Sequence, residues 1–310
     1  MTVGADRGFP AVRVLDGGMA TELERRGCDL SGPLWSAQVL ETQPEAIVAV
    51  HLDYLRAGAD CVATASYQVS AHGYRELGRD GREAERALRR AVELAEEARA
   101  EYARESGRRV WIAASLGPWG AALHNGAEYH GRYAIGVEEL TAFHAERLAV
   151  VGKTRAELIA LETIPSREEA EALVRALEQT EGPAAWISFT CRDGEHVAHG
   201  ETLRECAAVV AGAERVCAVG VNCTAPQWMA GLIAEARAGA GGKAVMVYPN
   251  SGETWNAARR AWEGQADAEE FGALARGWYA AGAQAVGGCC RTGPAHIAAA
   301  AAAARAAEGS

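Results

Sequence analysis

Val216-Cys-Ala-Val-Gly-Val-Asn-Cys223 is the stretch that decides the fold. It is apolar and rich in β-branched residues, shows no polar alternation, and stops at an asparagine and a thiol. A strand covered on both faces reads this way, as in a parallel sheet wrapped by helices. The run Val286-Gly-Gly-Cys-Cys-Arg-Thr292 has the same character and ends on two thiols. Working outward, comparable runs occupy residues 13–16, 60–65, 110–116, 158–163, 184–191, 243–248 and 283–287. Helical patterns separate them. The clearest spans residues 82–104, where Ala84, Leu88, Ala91, Ala95, Ala98 and Tyr102 fall on one stripe opposite the charges. Others begin near Pro44, Glu138, Ser166, Thr202, Pro226, Ala266 and Pro294, several with the Pro or Ser that suits a helix start. Gly58 and Gly282 supply the matching ends. Eight strand–helix units in 310 residues predict an α/β fold, a single-domain (β/α)8 TIM barrel of about 250 residues plus loops. A doubly wound sheet usually has fewer strands and often a Gly-x-Gly-x-x-Gly turn after the first, which is missing. No linker, repeat or composition shift divides the chain, and the alanine run at 298–307 extends the last helix.

A net charge of −10 and a pI near 5.4 argue against a nucleic-acid or anionic-membrane partner, since both want a basic face. No apolar run approaches about 18 residues, and the first ten residues contain no signal-like segment. The expected location is cytoplasmic, where thiols stay reduced. The eight cysteines are therefore not read as a disulfide framework. Adjacent Cα atoms stand about 3.8 Å apart, below the usual disulfide span of roughly 4.4–6.8 Å, which also argues against a Cys289–Cys290 bridge. Cys61, Cys191, Cys206 and Cys217 sit in apolar or helical runs and read as small core residues.

In a barrel of this kind chemistry belongs at the C-terminal strand ends. Asp16, Thr64, Ser66, Glu162, Cys223, Asn250, Cys289 and Cys290 all fall there. Predicted strands two, four, six and eight share parity, so their side chains can meet in one interior layer. Three thiols from two strand ends, with no fourth ligand beside them, resemble an open zinc site; the plain alternative is three structural cysteines. Glu162 closes a buried run and needs a cationic partner unless it is simply at the surface. Asp16-Gly17-Gly18 reads equally as a tight turn. Trp35 and Tyr67 suit ordinary packing or a sulfonium contact. His196 and His199 have the look of a metal pair in a segment too glycine-rich and charged to favour one. The loop at 117–136, with five glycines, His124, Tyr129, His130 and Tyr133, has the length of a lid.

Leu15-Asp-Gly-Gly-Met-Ala-Thr-Glu-Leu23, Pro33-Leu-Trp-Ser36, His51-Leu-Asp-Tyr54, Thr64-Ala-Ser-Tyr-Gln68, Glu162-Thr-Ile-Pro165, Gly220-Val-Asn-Cys223, Val247-Tyr-Pro-Asn-Ser-Gly252 and Gly287-Gly-Cys-Cys-Arg-Thr292 carry a further signal. With them nearly the whole chain resembles the homocysteine S-methyltransferases, relatives of betaine–homocysteine methyltransferase and of the homocysteine domain of methionine synthase. The resemblance is greatest to the compact branch that uses S-methylmethionine. It implies one homocysteine-binding barrel over residues 1–310, with Cys223, Cys289 and Cys290 binding Zn2+. It implies that Asp16, Gly17 and Glu162 hold the amino-acid part of L-homocysteine. Trp35, Tyr67 and Asn222 are expected beside the substrates. The implied reaction is zinc-dependent methyl transfer from S-methylmethionine, or less well S-adenosylmethionine, to the homocysteine thiol, giving methionine. No obligate protein partner is expected. Two features depart from the pattern: Val151-Gly-Lys-Thr-Arg-Ala-Glu157, where relatives usually carry an Ala-Gly-Ala-Asp-like turn, and Leu161, where many have Cys. The competing interpretation is a non-catalytic zinc- or redox-sensing barrel that uses the vicinal Cys289 and Cys290 thiols.

Overall fold

Apolar runs without alternation bury both faces, and the computed structural model shows how. It describes residues 8–32, 36–252, 254–256, 261–263 and 267–308. The strands are β1 (Cys61–Ala63), β2 (Trp111–Leu116), β3 (Leu158–Ile164), β4 (Ala184–Phe189), β5 (Val216–Asn222), β6 (Ala244–Tyr248), β7 (Thr254–Asn256), β8 (Ala261–Glu263) and β9 (Ala285–Val286). Seven of them pair in parallel in the order β1-β2-β3-β4-β5-β6-β9, while β7 and β8 form an antiparallel hairpin that the sequence pattern did not suggest. Single parallel bridges, Val14 to Val286 and Leu15 to Cys61, join residues 14–15 to both ends of the sheet. The sheet is thereby a TIM barrel.

The predicted first strand is thus reduced to two bridges, and a side chain explains why. The Asp60 carboxylate accepts from the Arg13 and Val14 N–H groups, each at 3.0 Å, in place of ladder carbonyls. The last barrel strand, Ala285–Val286, is also shorter than the expected 283–287, although the Gly287 N–H still donates to Val247 O at 3.0 Å.

A helix follows each barrel segment: Pro44–Ala57, Gly81–Ser106, Val137–Val151, Arg167–Glu178, Leu203–Ala211, Met229–Gly239, Ala268–Ala281 and Pro294–Glu308. Their starts carry local chemistry. Asp80 with Glu83 and Thr202 with Glu205 close capping boxes, and Ser166 accepts from the Glu169 N–H. Gly58 and Gly282 end their helices in the left-handed region, as predicted. The buried stripe of Gly81–Ser106 includes all six residues expected on it. Inside the barrel a compact cluster that includes Leu15, Cys61, Ala113, Ala160, Trp186, Cys217, Met246 and Tyr248 fills the lumen beneath the strand ends. Cys61, Cys191, Cys206 and Cys217 are buried and free, as core residues should be.

Candidate active site

The three thiols meet because both strand ends turn sharply. Cys223 follows β5 with φ 51°, a left-handed conformation uncommon for a non-glycine residue. After β9, a Cβ on Gly288 would collide with the Thr292 side chain, so only glycine lets the chain fold back there. The Cys289 N–H then donates to Pro249 O at 2.8 Å, and the Thr292 hydroxyl donates to Cys289 O at 2.7 Å. The Sγ atoms of Cys223, Cys289 and Cys290 all lie within 4.8 Å of one another, with Cys223 and Cys290 3.5 Å apart. Thiolates at about 2.3 Å from a tetrahedral zinc stand roughly 3.8 Å apart, so the donor set fits that ion. No His, Asp or Glu among the described residues completes the cluster as a fourth ligand. Hydrogen bonds among the thiols act in both directions, lowering one partner as they raise the other, and burial raises all three, so each stands well above the ordinary cysteine pKa and a thiolate cluster here needs a cation.

The thiols open onto a cavity of about 130 Å³ that also receives Asp16, Gly17, Tyr67, Glu162 and Asn222. Glu162 stands at a register shift in β3 between Leu161 and Ile164, and Thr163 takes φ 63°. This bulge turns the carboxylate inward, where it accepts from the Ser115 hydroxyl. Asp16 is 8% exposed and accepts from the Ala63 N–H at 2.8 Å. Burial raises both carboxyl pKa values, and for Asp16 the charge of Glu162 adds to the rise. No Lys or Arg occurs among the described residues that line the cavity. Two carboxylates and three thiols therefore face one small space whose described lining carries no positive charge. Gly17 is required beside them, because its Cβ would lie 2.7 Å from the Tyr54 ring.

Asn222 lines the cavity, but protein groups already engage its amide. Its Oδ1 accepts from the Thr163 N–H at 2.8 Å and the Ser188 hydroxyl at 2.6 Å, while Nδ2 donates to Thr163 Oγ1 at 2.8 Å. The same Nδ2 lies 4.0 Å from Cys289 Sγ. Asn222 thus ties the Glu162 bulge to the thiol cluster. Below it, the Trp186 indole donates to the Tyr248 hydroxyl at 3.0 Å, and Tyr248 contacts Ser188.

Tyr67 lines the cavity near Cys223 and Glu162, and burial raises its pKa well above the ordinary tyrosine value. The loop at 117–136 folds over the rim with helices at Trp119–Ala122 and Ala127–Tyr129, and the Tyr129 hydroxyl reaches 3.7 Å from Cys223 Sγ. Trp35 lies outside the described residues. His196 and His199 pair with Asp193 and Glu201, each at 3.0 Å, and neither lines the cavity. Sequence reasoning missed Ser115, Thr163, Tyr129, Trp186 and Tyr248 as cavity residues. Readable signals were Ser115, a polar residue inside an apolar run, Tyr129 in the lid-length loop, and Thr163 and Tyr248 inside the motifs quoted above.

A sequence model of the homocysteine S-methyltransferase family matches residues 13–304. A homocysteine S-methyltransferase of Bacillus subtilis is 45% identical over 294 residues, covering 93% of both chains. The Escherichia coli homocysteine methyltransferase MmuM superposes in its oxidized form with a TM-score of 0.85 at 40% identity, covering 94% of this chain and 96% of that one. Its metallated form gives a TM-score of 0.82 at 41% identity, with the same coverage. Identity of this extent across the whole barrel places the chain: it belongs to the homocysteine S-methyltransferase family and is a methyltransferase.

Proposed function

We propose that this chain transfers a methyl group from a sulfonium donor to the thiol of L-homocysteine, giving methionine. S-methylmethionine is the preferred donor and S-adenosylmethionine the lesser one. The observation that carries this reading is the cavity itself: three converging thiols and two buried carboxylates, with no cationic side chain among its described lining residues. A soft divalent cation and a substrate ammonium together balance that charge. Cys223, Cys289 and Cys290 are the residues to hold zinc. What zinc adds there is Lewis acidity, which lets the homocysteine thiol shed its proton near neutral pH.

Asp16 and Glu162 accept the homocysteine ammonium, beside the turn that Gly17 permits, and Asn222 keeps Glu162 and Cys289 in register. Tyr67 presents its aromatic face to the sulfonium, a contact of about 0.5–2 kcal/mol. The methyl–sulfur bond of the donor breaks as the new carbon–sulfur bond forms, and the electron pair returns to the donor sulfur. The departing thioether is neutral and needs no acid, and none of the described lining residues is a histidine. Positioning is the main remaining contribution. The anionic cavity disfavours polyanionic folate donors. The non-catalytic sensor interpretation is not favoured, because it leaves the paired carboxylates without a task. We place the reaction in the cytoplasm; among the described residues no helix is long and apolar enough to cross a membrane.

Donor competition tests the assignment. With homocysteine held constant and metal-loaded protein, kcat/KM should be highest for S-methylmethionine. A value for betaine or methyltetrahydrofolate equal to or above it overturns the donor assignment.

A further inference from the structure

Outside the cavity, three buried charged or titratable side chains are hydrogen-bonded to one another and have no part in the chemistry above. His144 and Arg147 lie on helix Val137–Val151, and Glu169 on helix Arg167–Glu178; none exceeds 2% exposure. Glu169 Oε1 accepts from His144 Nε2 at 3.0 Å and from the Trp119 N–H at 2.6 Å. Arg147 donates to His144 Nδ1 at 2.8 Å and to Gly117 O at 2.7 Å. With Nδ1 accepting, the imidazole proton sits on Nε2 and points to Glu169. Such clusters are weak sources of stability, since desolvating the ions offsets most of their attraction.

Where these bonds lead is more informative. Arg147 also lies over the Phe143 ring at 4.0 Å, and both hydrogen bonds named above that leave the cluster end on the backbone of residues 117–119, the root of the loop over the cavity. The Gly117 N–H donates to Tyr67 O at 2.9 Å, and the Tyr67 ring lies 2.7 Å from where a Gly117 Cβ would stand. A Cβ on Gly120 would collide with the backbone of Ala127 and Glu128, so the short helix that carries Tyr129 rests directly on the same turn. The Trp119 ring is held between His72 and Phe143, at centroid distances of 4.5 and 4.9 Å. Tyr67 and Tyr129, the two tyrosines on the loop side of the cavity, therefore both take their seats from peptide units that the cluster grips.

We infer that Glu169, with Arg147 and His144, forms a positioning cluster that sets the donor side of the cavity through residues 117–120. It acts first on donor binding, and its nearest approach to the metal site is the Tyr129 hydroxyl, 3.7 Å from Cys223 Sγ. This rests on the proposal that Tyr67 faces the sulfonium; Asp16, Glu162 and the three cysteines sit on other strand ends, and none of them touches the cluster.

The test is steady-state kinetics on metal-loaded Glu169→Ala and Glu169→Gln, varying donor and homocysteine separately, with zinc content measured in each. Glu169→Ala should raise the donor KM at least about tenfold, the loss expected for one or two buried hydrogen bonds. Homocysteine KM and zinc content should stay within about twofold of wild type. Glu169→Gln should recover most of the donor affinity, because its amide oxygen can still accept from Trp119 and His144. Parallel rises in both KM values, or no rise in either, overturn the inference. Should Glu169→Ala fail to fold, Gly117→Ala decides: it leaves every buried charge in place and displaces only Tyr67. An unchanged donor KM in that variant refutes the cluster's role. Wild type measured with every donor separates the two levels. A wild-type preference for a non-sulfonium donor refutes the function proposed above, whereas the ratio of variant to wild type with the best donor judges the cluster.

Discussion

Replacing Glu162 with glutamine keeps shape and removes charge, which separates recognition from architecture. The Ser115 hydroxyl that donates to Glu162 can donate equally to the amide oxygen. A substrate ammonium loses its charged partner, and charge-assisted hydrogen bonds contribute about 1.5–3 kcal/mol, so homocysteine affinity should fall roughly 10- to 150-fold. Stability should move the other way. Burial raises the Glu162 pKa above its unfolded value, so the folded state holds that proton more tightly than the unfolded chain does. The stabilisation this brings is complete below the unfolded value near 4.3 and is lost as pH rises through the raised folded value. At neutral pH the buried, substrate-free carboxyl group is therefore a burden that glutamine lacks. Calorimetric titration of metal-loaded protein with homocysteine, paired with thermal unfolding at pH 7 without substrate, measures both effects. The expected pair is weakened binding with full zinc content and an equal or higher Tm. Homocysteine affinity within about twofold of wild type would refute the pairing of Glu162 with the ammonium.

Cys290→Ala should lower zinc below one ion per chain by elemental analysis; full retention would rule out a three-thiolate site. Asn222→Ala strands the buried Thr163 N–H, at about 1–3 kcal/mol for an unpaired group, and frees the Glu162 bulge from the thiols. Urea unfolding should show a loss of about 2–4 kcal/mol, and competition with a chelator should show zinc affinity down about 10-fold or more; unaltered zinc affinity would remove Asn222 from the support of the cluster. His51 is buried, neither ring nitrogen has a partner among the described residues, and burial depresses its pKa to about 4. The folded state thus binds fewer protons than the unfolded one, and stability present above about pH 6.5 should drain by about 3 kcal/mol as pH falls towards 4. His51→Phe should flatten that acid limb in denaturant titrations, and an identical limb in both proteins would contradict the assignment.

The linear pattern was enough to establish the barrel, because runs buried on both faces and single-striped helices are local properties of the chain. Strand parity and the thiols at two strand ends likewise pointed to Cys223, Cys289 and Cys290, and Glu162 stood out as a carboxylate closing an apolar run. Tertiary structure decided everything that depends on groups far apart in sequence. The predicted first strand dissolved into two bridges because the Asp60 side chain, 46 residues beyond Val14, took the place of a ladder carbonyl. Asn222 proved to be a brace, since Thr163, 59 residues earlier, already meets its amide. Tyr129 reaches Cys223 across 94 residues, and no spacing within the loop encodes that meeting. Periodicity reports which face of an element is buried. Where side chains converge depends on bulges, left-handed residues and close backbone approaches, which come into being only when the strands have closed into a barrel.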